Sequence, residues 1–140
     1  METVKNRRSI RKYAGKPVDE ELLRRLLEVS ERTQTMGNMQ LYSVVVTRSE
    51  EMKKRLAPAH FNQPMVKTAP AVLTFCIDLR RFSNGASSGR QNRDMNNFEW
   101  FVTGAVDALL VAQTFCVAAE EKRFGHLLSG YYHLQPPNDY

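Results

Sequence analysis

The feature that most constrains the fold is the long apolar segment from Asn97 to Lys122 in this chain of 140 residues. Its spacing predicts one helix with a broad apolar surface, formed by Phe98, Phe101, Val102, Ala105, Ala108, Leu109, Ala112, Phe115, Cys116 and Ala119. A helix of this kind is buried on most sides. Only two strands are predicted to cover it, so we expect a second chain as a partner. Asp107 stands alone on this surface, and we expect it to form a hydrogen bond at a helix interface.

Two further helices are predicted by their N-terminal signals. The first runs from about Asp19 to Arg32, because Asp19 is a suitable N-cap and acidic residues follow it in the first turn. The second is short and runs from Ser49, its predicted cap, to Leu56. Both helices precede strand-like segments, which makes the first half of the chain a mixture of helix and strand.

Two apolar runs predict strands, and one polar stretch predicts a loop. Leu41–Thr47 is centred on three consecutive valines, and Ala71–Ile77 is almost continuously apolar. The continuous pattern places the second strand in the centre of a sheet with both faces covered. Leu79–Asn96 is rich in Ser, Gly, Arg and Asn, so we predict a long mobile loop there.

Composition bounds the class of protein. The length fits a single domain, and 42% hydrophobic with 25% charged residues is ordinary for a globular chain. The first residues lack the apolar core of a signal peptide, and no uncharged apolar run reaches the ~20 residues of a membrane span. We therefore expect a cytoplasmic protein without a membrane partner. Cys76 and Cys116 both lie in apolar runs, and we expect them to be buried thiols.

The net charge of +5 arises largely near the N-terminus, where a basic motif spans Arg7-Arg8-Ser9-Ile10-Arg11-Lys12-Tyr13. Guanidinium groups bind phosphate with paired N–H donors, and a serine hydroxyl adds a further hydrogen bond, so the motif predicts a phosphate clamp. Two other interpretations stay open, a solvated basic arm and a nucleic-acid-binding arm. The absence of an aromatic stacking platform and of a recognition-helix pattern argues against nucleic acid.

Four motifs in order resemble the nitroreductase family over residues 4 to about 122. The first is the basic motif, followed by Pro-Val and an amphipathic helix. The second is the loop Gln34-Thr35-Met36-Gly37-Asn38-Met39-Gln40 before the first strand, and the third is Asn62-Gln63 followed by Ala69-Pro70 and a buried strand. The fourth is the long helix with Gly104-Ala105-Val106-Asp107-Ala108 and Ala118-Ala119-Glu120.

The resemblance implies a fold, a cofactor and a reaction. The fold is α+β and nitroreductase-like, here incomplete, with a mixed sheet flanked by helices and a long central helix. The family forms an intertwined homodimer with FMN at its interface. It passes a hydride from NAD(P)H to the flavin, and then electrons to a nitroaromatic, quinone or similar small-molecule acceptor. A non-catalytic remnant that forms dimers or binds flavin is the alternative function.

The resemblance also implies site residues. Arg7, Arg8, Ser9 and Arg11 would hold the FMN phosphate and ribityl chain. Asn38 and Gln40 would reach the flavin, across the dimer, and Asn62 matches a position at the isoalloxazine edge. Asn38 and Gln40 could equally shape a turn before the strand, and Asn62 could be an ordinary loop residue.

No catalytic side chain and no metal ligand is expected in this chain. The flavin carries the redox step in such enzymes, while the protein supplies binding and orientation. His60, His126 and His133 lack the spacing of metal ligands and are interpreted as structural or incidental.

The sequence divides into a nitroreductase-like part, residues 1–122, and a tail, residues 123–140, which does not match the family. The family continues after the long helix with a Gly-rich segment, which we expect this chain to lack. Read in a shifted frame, the codons of the tail permit G-L-G-I-C-Y-L-G-T-T-T-Y-N-P-P-M-I-I, which resembles the missing segment. We therefore hypothesise a single-base frameshift near Lys122–Arg123.

Overall fold

The computed structural model describes residues 2–86, 95 and 97–126, and these form helices around a small sheet. Two short 3₁₀ helices lie at Met36–Asn38 and Ala57–His60. The α-helices and strands follow in chain order: α1 Glu2–Lys5, α2 Glu20–Ser30, β1 Tyr42–Thr47, α3 Glu50–Leu56, α4 Pro64–Thr68, β2 Val72–Ile77, α5 Leu79–Ala86 and α6 Phe98–Glu121.

The predicted long helix is confirmed as α6. Asn97 caps its N-terminus, because the side-chain oxygen of Asn97 accepts a hydrogen bond of 3.1 Å from the backbone N–H of Trp100. The helix has 24 residues, so it is about 36 Å long. It is the one α-helix in the described ranges that is long and apolar enough to cross a membrane. A buried core helix meets the same criteria, and 44% of its apolar stretch is buried within this chain.

The helix α6 packs against two layers. Toward its C-terminal end, Phe115 and Ala119 form a core cluster with Leu23 and Leu26 of α2. Nearer its middle, the buried side chains of α6 meet the sheet, in a cluster formed by Tyr42, Ala108 and Val111. Its length therefore joins α2 and the sheet into one body.

A third face of α6 is covered by none of the residues that the structure describes. We call it the apolar stripe, and its side chains are 37% to 79% exposed: Phe98, Phe101, Val102, Val106, Leu109 and Leu110. The sequence predicted burial on most sides, and the structure divides that surface into two packed faces and this accessible one.

The sheet consists of β1 and β2, paired antiparallel from Tyr42 opposite Ile77 to Thr47 opposite Val72. The prediction that the second strand lies in a sheet centre is wrong for the described residues. There β2 has a single neighbouring strand, and its side chains are half-buried or, at Ile77, exposed. A continuous apolar run predicts that both faces of a strand are covered. In the described residues, α6 covers this small sheet from one side.

The predicted loop over Leu79–Asn96 is wrong at its beginning, where the chain forms α5. The carboxylate of Asp78 accepts a hydrogen bond of 3.1 Å from the backbone N–H of Arg81, which is the interaction of a helix N-cap. The ring of Phe82 lies 6.4 Å from the ring of Trp100, so α5 packs on α6. The rest of the predicted loop, except Met95, lies outside the described residues.

The capping predictions have mixed outcomes. The side chain of Asp19 accepts a hydrogen bond of 2.8 Å from the backbone N–H of Leu22, so the cap of α2 is confirmed. Ser49 occupies the N-cap position of α3, but its side chain makes no capping hydrogen bond, so that prediction is wrong.

Cys116 is buried as expected, and burial raises the pKa of its thiol to about 11. Cys76 is only half-buried.

Asp107 connects α6 to the loop before β1. The residue is fully buried, and its two carboxylate oxygens accept hydrogen bonds from the backbone N–H groups of Met36, at 2.9 Å, and Leu41, at 3.1 Å. The predicted hydrogen-bonding role of Asp107 is therefore confirmed. The partner is a loop backbone, and we name residues 36–41 the Asp107 loop.

Replacing Asp107 with alanine should lower the free energy of unfolding by about 2–4 kcal/mol, because both backbone N–H groups would lose their acceptor in a buried place. Asp107→Asn should also destabilise the chain, since its amide N–H₂ would face a donor. Urea unfolding measures both. Glu99→Ala, at an exposed carboxylate of the same helix, should cost less than about 1 kcal/mol. An Asp107→Ala variant as stable as Glu99→Ala would contradict this assignment.

Candidate functional site

The basic motif lies in an extended segment between α1 and α2 and presents its charges to solvent. Arg7, Arg8, Ser9 and Arg11 are all exposed, whereas Ile10 and Tyr13 are half-buried. Burial raises the pKa of the Tyr13 phenol. The inward residues hold the segment on the protein, and the outward residues leave guanidinium and hydroxyl donors available. We call residues 7–13 the arginine arm.

The arm is attached to two residues shortly after the end of α6, Gly125 and His126. The backbone N–H of Ile10 donates a hydrogen bond of 3.0 Å to the carbonyl of His126. Gly125 lies against the Ile10 side chain so closely that a Cβ at this position would be 2.9 Å from it. A glycine is therefore required at 125 for the arm to keep its place.

The arginines of the arm have no carboxylate partner among the residues that the structure describes. The ion pairs found there join other side chains, such as Lys5 with Glu2 and Arg48 with Glu20. Burial raises the pKa of Cys116 and lowers that of His126, and the nearby charge of Arg7 opposes the first effect and adds to the second. Uncompensated guanidinium groups beside a free hydroxyl are a donor set suited to a phosphate.

His126 and Glu120 form a half-buried pair beneath the arm. The Nδ1 atom of His126 lies 3.8 Å from a carboxylate oxygen of Glu120. Burial lowers the pKa of the imidazole, and Glu120 opposes that effect. Within residues 2–86, 95 and 97–126, no group of three or more His, Cys, Asp or Glu side chains could hold a metal ion.

The second set of predicted site residues lies in the Asp107 loop. Gly37, Asn38 and Gln40 have φ angles of 57°, 56° and 54°, in the left-handed region that residues other than glycine seldom adopt. The side-chain amide of Gln40 donates to the side-chain oxygen of Asn38 at 3.4 Å. The structure therefore brings Asn38 and Gln40 together on one tight turn.

Asn62, the remaining predicted site residue, lies in a separate turn. Phe61 and Asn62 have φ angles of 51° and 54°, and the backbone N–H of Asn62 donates to the carbonyl of Ala57 at 2.8 Å. The Asn62 side chain is exposed. The backbone hydrogen bond of Asn62 therefore joins it to Ala57, within its own turn.

The arm and the Asp107 loop are supported at different positions along α6. Asp107 holds the loop, whereas the arm rests on residues beyond Glu120. Thirteen residues separate Asp107 from Glu120, which corresponds to about 20 Å along the helix axis. Within one chain, the two sets of predicted site residues are therefore apart.

Two residues beside the predicted site were missed by the sequence analysis. The guanidinium of Arg81 donates a hydrogen bond to the backbone carbonyl of Gln40, and the Asp78 carboxylate accepts one from the hydroxyl of Ser43. Both lie in the stretch from the end of β2 into α5, where a loop was predicted after Ile77. An acidic residue three positions before Arg81, with an apolar residue at Phe82, is an N-cap signal that could have revealed the helix.

Similar proteins share this architecture. A protein of Bacteroides fragilis NCTC 9343 with a known crystal structure is 58% identical and superposes with a TM-score of 0.86, over 89% of this chain and 51% of that one. The NADPH:FMN oxidoreductase of Vibrio harveyi, solved with NAD⁺, is 29% identical with a TM-score of 0.79, over 89% and 52% of the two chains. The fold is therefore the α+β nitroreductase-like fold, of which the described residues form an incomplete part.

Curated relatives are NADPH-dependent oxidoreductases and flavin reductases. The FMN reductase (NADPH) of Bacillus subtilis strain 168 is 30% identical over 127 residues, which are 89% of this chain and 51% of the relative. The Cr(VI) reductase of Pseudomonas sp. strain G-1 is 29% identical over 124 residues, with the same coverage. The chain spans about half the length of the curated relatives it matches.

The sequence profile of one family covers almost the whole chain. It matches residues 4–135, a range that includes the arginine arm, the Asp107 loop, Asn62 and α6, and that extends into the tail which the sequence analysis separated from the family. Together with the superposition on solved structures, this match identifies the chain as a member of the nitroreductase family.

Proposed function

We propose that this chain belongs to an FMN-dependent oxidoreductase that passes electrons from NAD(P)H to a nitroaromatic, a quinone or a similar small-molecule acceptor. The observation that carries the proposal is the arginine arm, a set of exposed guanidinium and hydroxyl donors with no carboxylate partner in the described part of the chain. In a member of the nitroreductase family, such a donor set fits the phosphate of FMN.

The arm would hold the phosphate end of the cofactor. Arg7, Arg8 and Arg11 offer planar pairs of N–H donors, and Ser9 adds a hydroxyl, so a phosphate dianion would find both charge and directed hydrogen bonds. Ile10 keeps these donors in one place, because its backbone N–H and its side chain are held by residues 125 and 126.

The amide side chains would orient the other end of the cofactor. Asn38 and Gln40 present donors and acceptors on one rigid turn, and Asn62 presents a third exposed amide. When bound, the flavin would accept a hydride from NAD(P)H and pass electrons to the acceptor. The residues of this chain would fix its position and supply hydrogen bonds to its polar edges.

A homodimer would complete the site. The arm and the Asp107 loop are about 20 Å apart along α6, so one flavin could use both sets if two copies contributed. The apolar stripe would supply a surface for such contact, with six large side chains that are exposed in the described part of the chain. Large apolar patches on soluble proteins usually mark contact surfaces, and two-fold dimers use the same patch on both copies.

The proposed setting is the cytoplasm, without a nucleic-acid or membrane partner. The positive charge of the arm is assigned to one phosphate, and two faces of α6 pack within the chain. A duplex-binding arm would instead show affinity that falls steeply with salt concentration.

A non-catalytic remnant is the second candidate, and it is favoured by the coverage of the relatives. This chain aligns with about half of each relative, so the other half of the relative has no counterpart in the alignment. Oxidation of NADPH or NADH by the flavin-loaded chain would support the enzyme. Retained flavin without turnover would support the remnant.

The origin of residues 123–140 is a separate proposal. We infer that a single-base frameshift near Lys122–Arg123 produced this tail, which would then carry no evolved function. The contact with the arm is compatible with this idea, because it uses a backbone carbonyl and Gly125, and the shifted reading also has glycine at that position.

Binding of FMN and of riboflavin, which lacks the phosphate, tests the clamp. We expect Arg8→Gln to weaken FMN binding about tenfold and to leave riboflavin binding unchanged, because the lost interaction is with the phosphate. Flavin fluorescence titration measures both constants. Lys12→Gln, which removes the same charge from a neighbouring exposed residue, is the matched control. A wild-type chain that binds FMN no better than riboflavin would overturn the clamp.

A charge in the apolar stripe tests the dimer. We expect Leu109→Glu to weaken self-association about 100-fold, since a carboxylate would be buried without a partner at the interface. Sedimentation equilibrium measures the constant. Val29→Glu is the control, because Val29 is 52% exposed and Leu109 56%, and Val29 lies on α2 outside the stripe. Equal effects of the two substitutions would count against the stripe as the contact surface.

The coding DNA tests the origin of the tail. We expect that one base inserted or deleted near the codons of Lys122 and Arg123 restores a Gly-rich, family-like segment from residue 123 onward. Resequencing the gene from its source supplies the observation. Codons that allow no such reading would refute the frameshift. Residues 123–140 would then be encoded in the same reading frame as the rest of the chain.

A further inference from the structure

We propose that Arg81 is a positioning residue that holds the backbone of Gln40, and with it the amides of Asn38 and Gln40, in the conformation that meets the cofactor. The role toward the cofactor rests on the proposed function, in which these amides reach FMN. The contact itself does not depend on that role, because the guanidinium of Arg81 donates to the carbonyl of Gln40 within the chain.

The Asp107 loop has a backbone that needs external support. Asn38 and Gln40 both adopt positive φ angles, which place the Cβ of an L-residue close to its own carbonyl oxygen. Asparagine tolerates this conformation better than most residues, whereas glutamine has no such preference. Strained backbone of this kind persists where the surrounding structure fixes it.

The support comes from two charged residues on different helices. Asp107 of α6 accepts the N–H groups at the two ends of the loop, Met36 and Leu41. Arg81 of α5 donates to the carbonyl of Gln40, which also accepts the N–H of Tyr42 at 2.8 Å. One helix therefore holds the donors of the loop and the other holds an acceptor, so that neither can replace the other.

The position of Arg81 is itself fixed by the residue that begins α5. One carboxylate oxygen of Asp78 accepts the backbone N–H of Arg81 at 3.1 Å, and the other accepts the hydroxyl of Ser43 on β1. The backbone N–H of Asp78 donates to the carbonyl of Leu41 at 3.0 Å. The Ser43 hydrogen bond is the main reason why the pKa of Asp78 is lowered, so this support persists at neutral pH.

A tilted aromatic contact between α5 and α6 completes the framework. The rings of Phe82 and Trp100 lie 6.4 Å apart, so the turn that carries Arg81 is seated on the helix that carries Asp107. Arg81 thereby acts through Gln40. The groups that would contact a ligand are the side-chain amides of Asn38 and Gln40.

The experiment compares Arg81→Gln with Arg80→Gln and Arg81→Lys in the full chain. Arg80 is the matched control, because it is an exposed neighbour on α5 with the same charge, and its side chain makes no hydrogen bond to the Asp107 loop among the described residues. Thermal unfolding first confirms that each variant is folded. Two readouts follow, amide hydrogen exchange of residues 36–41 without flavin, and FMN affinity together with the visible circular dichroism of the bound flavin at saturation.

We expect Arg81→Gln to speed exchange at Met36 and Leu41 about tenfold, to weaken FMN binding about tenfold, and to change the dichroism of the bound flavin. Arg80→Gln should change none of these. Arg81→Lys should restore part of the exchange protection and affinity, because an ammonium can donate to the same carbonyl without the planar fork of arginine.

The outcomes separate this inference from the proposed function. A wild-type chain that binds no FMN would refute the proposed function, and the exchange rates would still decide whether Arg81 holds the loop. Exchange unaffected by Arg81→Gln would overturn the inference in either case. Faster exchange with unchanged FMN affinity and dichroism would overturn the role of Arg81 toward the cofactor.

Discussion

The fully buried carboxylate of Asp107 is the interaction on which the rest of the structure depends. It accepts one backbone N–H on either side of the turn that contains Asn38 and Gln40, and it does so from the middle of the longest helix. Leu41, the residue bonded to it, is completely buried and leads directly into β1. The contact therefore fixes where the first strand begins, and through the antiparallel pairing it fixes β2 and the start of α5 as well.

The helix α6 supports two groups of site residues at different positions along its length. Near its middle it holds the amide-bearing loop through hydrogen bonds of a buried charge, while the residues after its C-terminal end hold the arginine arm through a backbone hydrogen bond and a close glycine contact. Between them runs an apolar face that is exposed in the described part of the chain. Because a helix keeps positions along its axis at a constant separation, these two groups stay apart within one chain, and the proposed dimer would be needed to bring them to one cofactor.

The sequence predicted a helix correctly where the residue that caps it lies next to it in the chain. Asp19 and Asn97 cap α2 and α6 with their own side chains, and both helices begin where these residues predict. The helix α5 was missed because its sequence is polar and its support is distant, from Trp100 and Ser43. The apolar run of β2 predicted burial in a sheet centre, but periodicity carries no information about how many strands are available to flank it.

The sequence by itself determined the types of element, the exposed charge of the arm and the family to which the chain belongs, because these follow from residue identity and short-range spacing. Only the tertiary structure decided that Asp107 receives the N–H groups of the loop, that Arg81 reaches Gln40, and that Ile10 meets Gly125. Each of these pairs is separated by dozens of residues along the chain. Their contact depends on how whole helices pack. That packing is set by the burial of many side chains together, and no local motif encodes it.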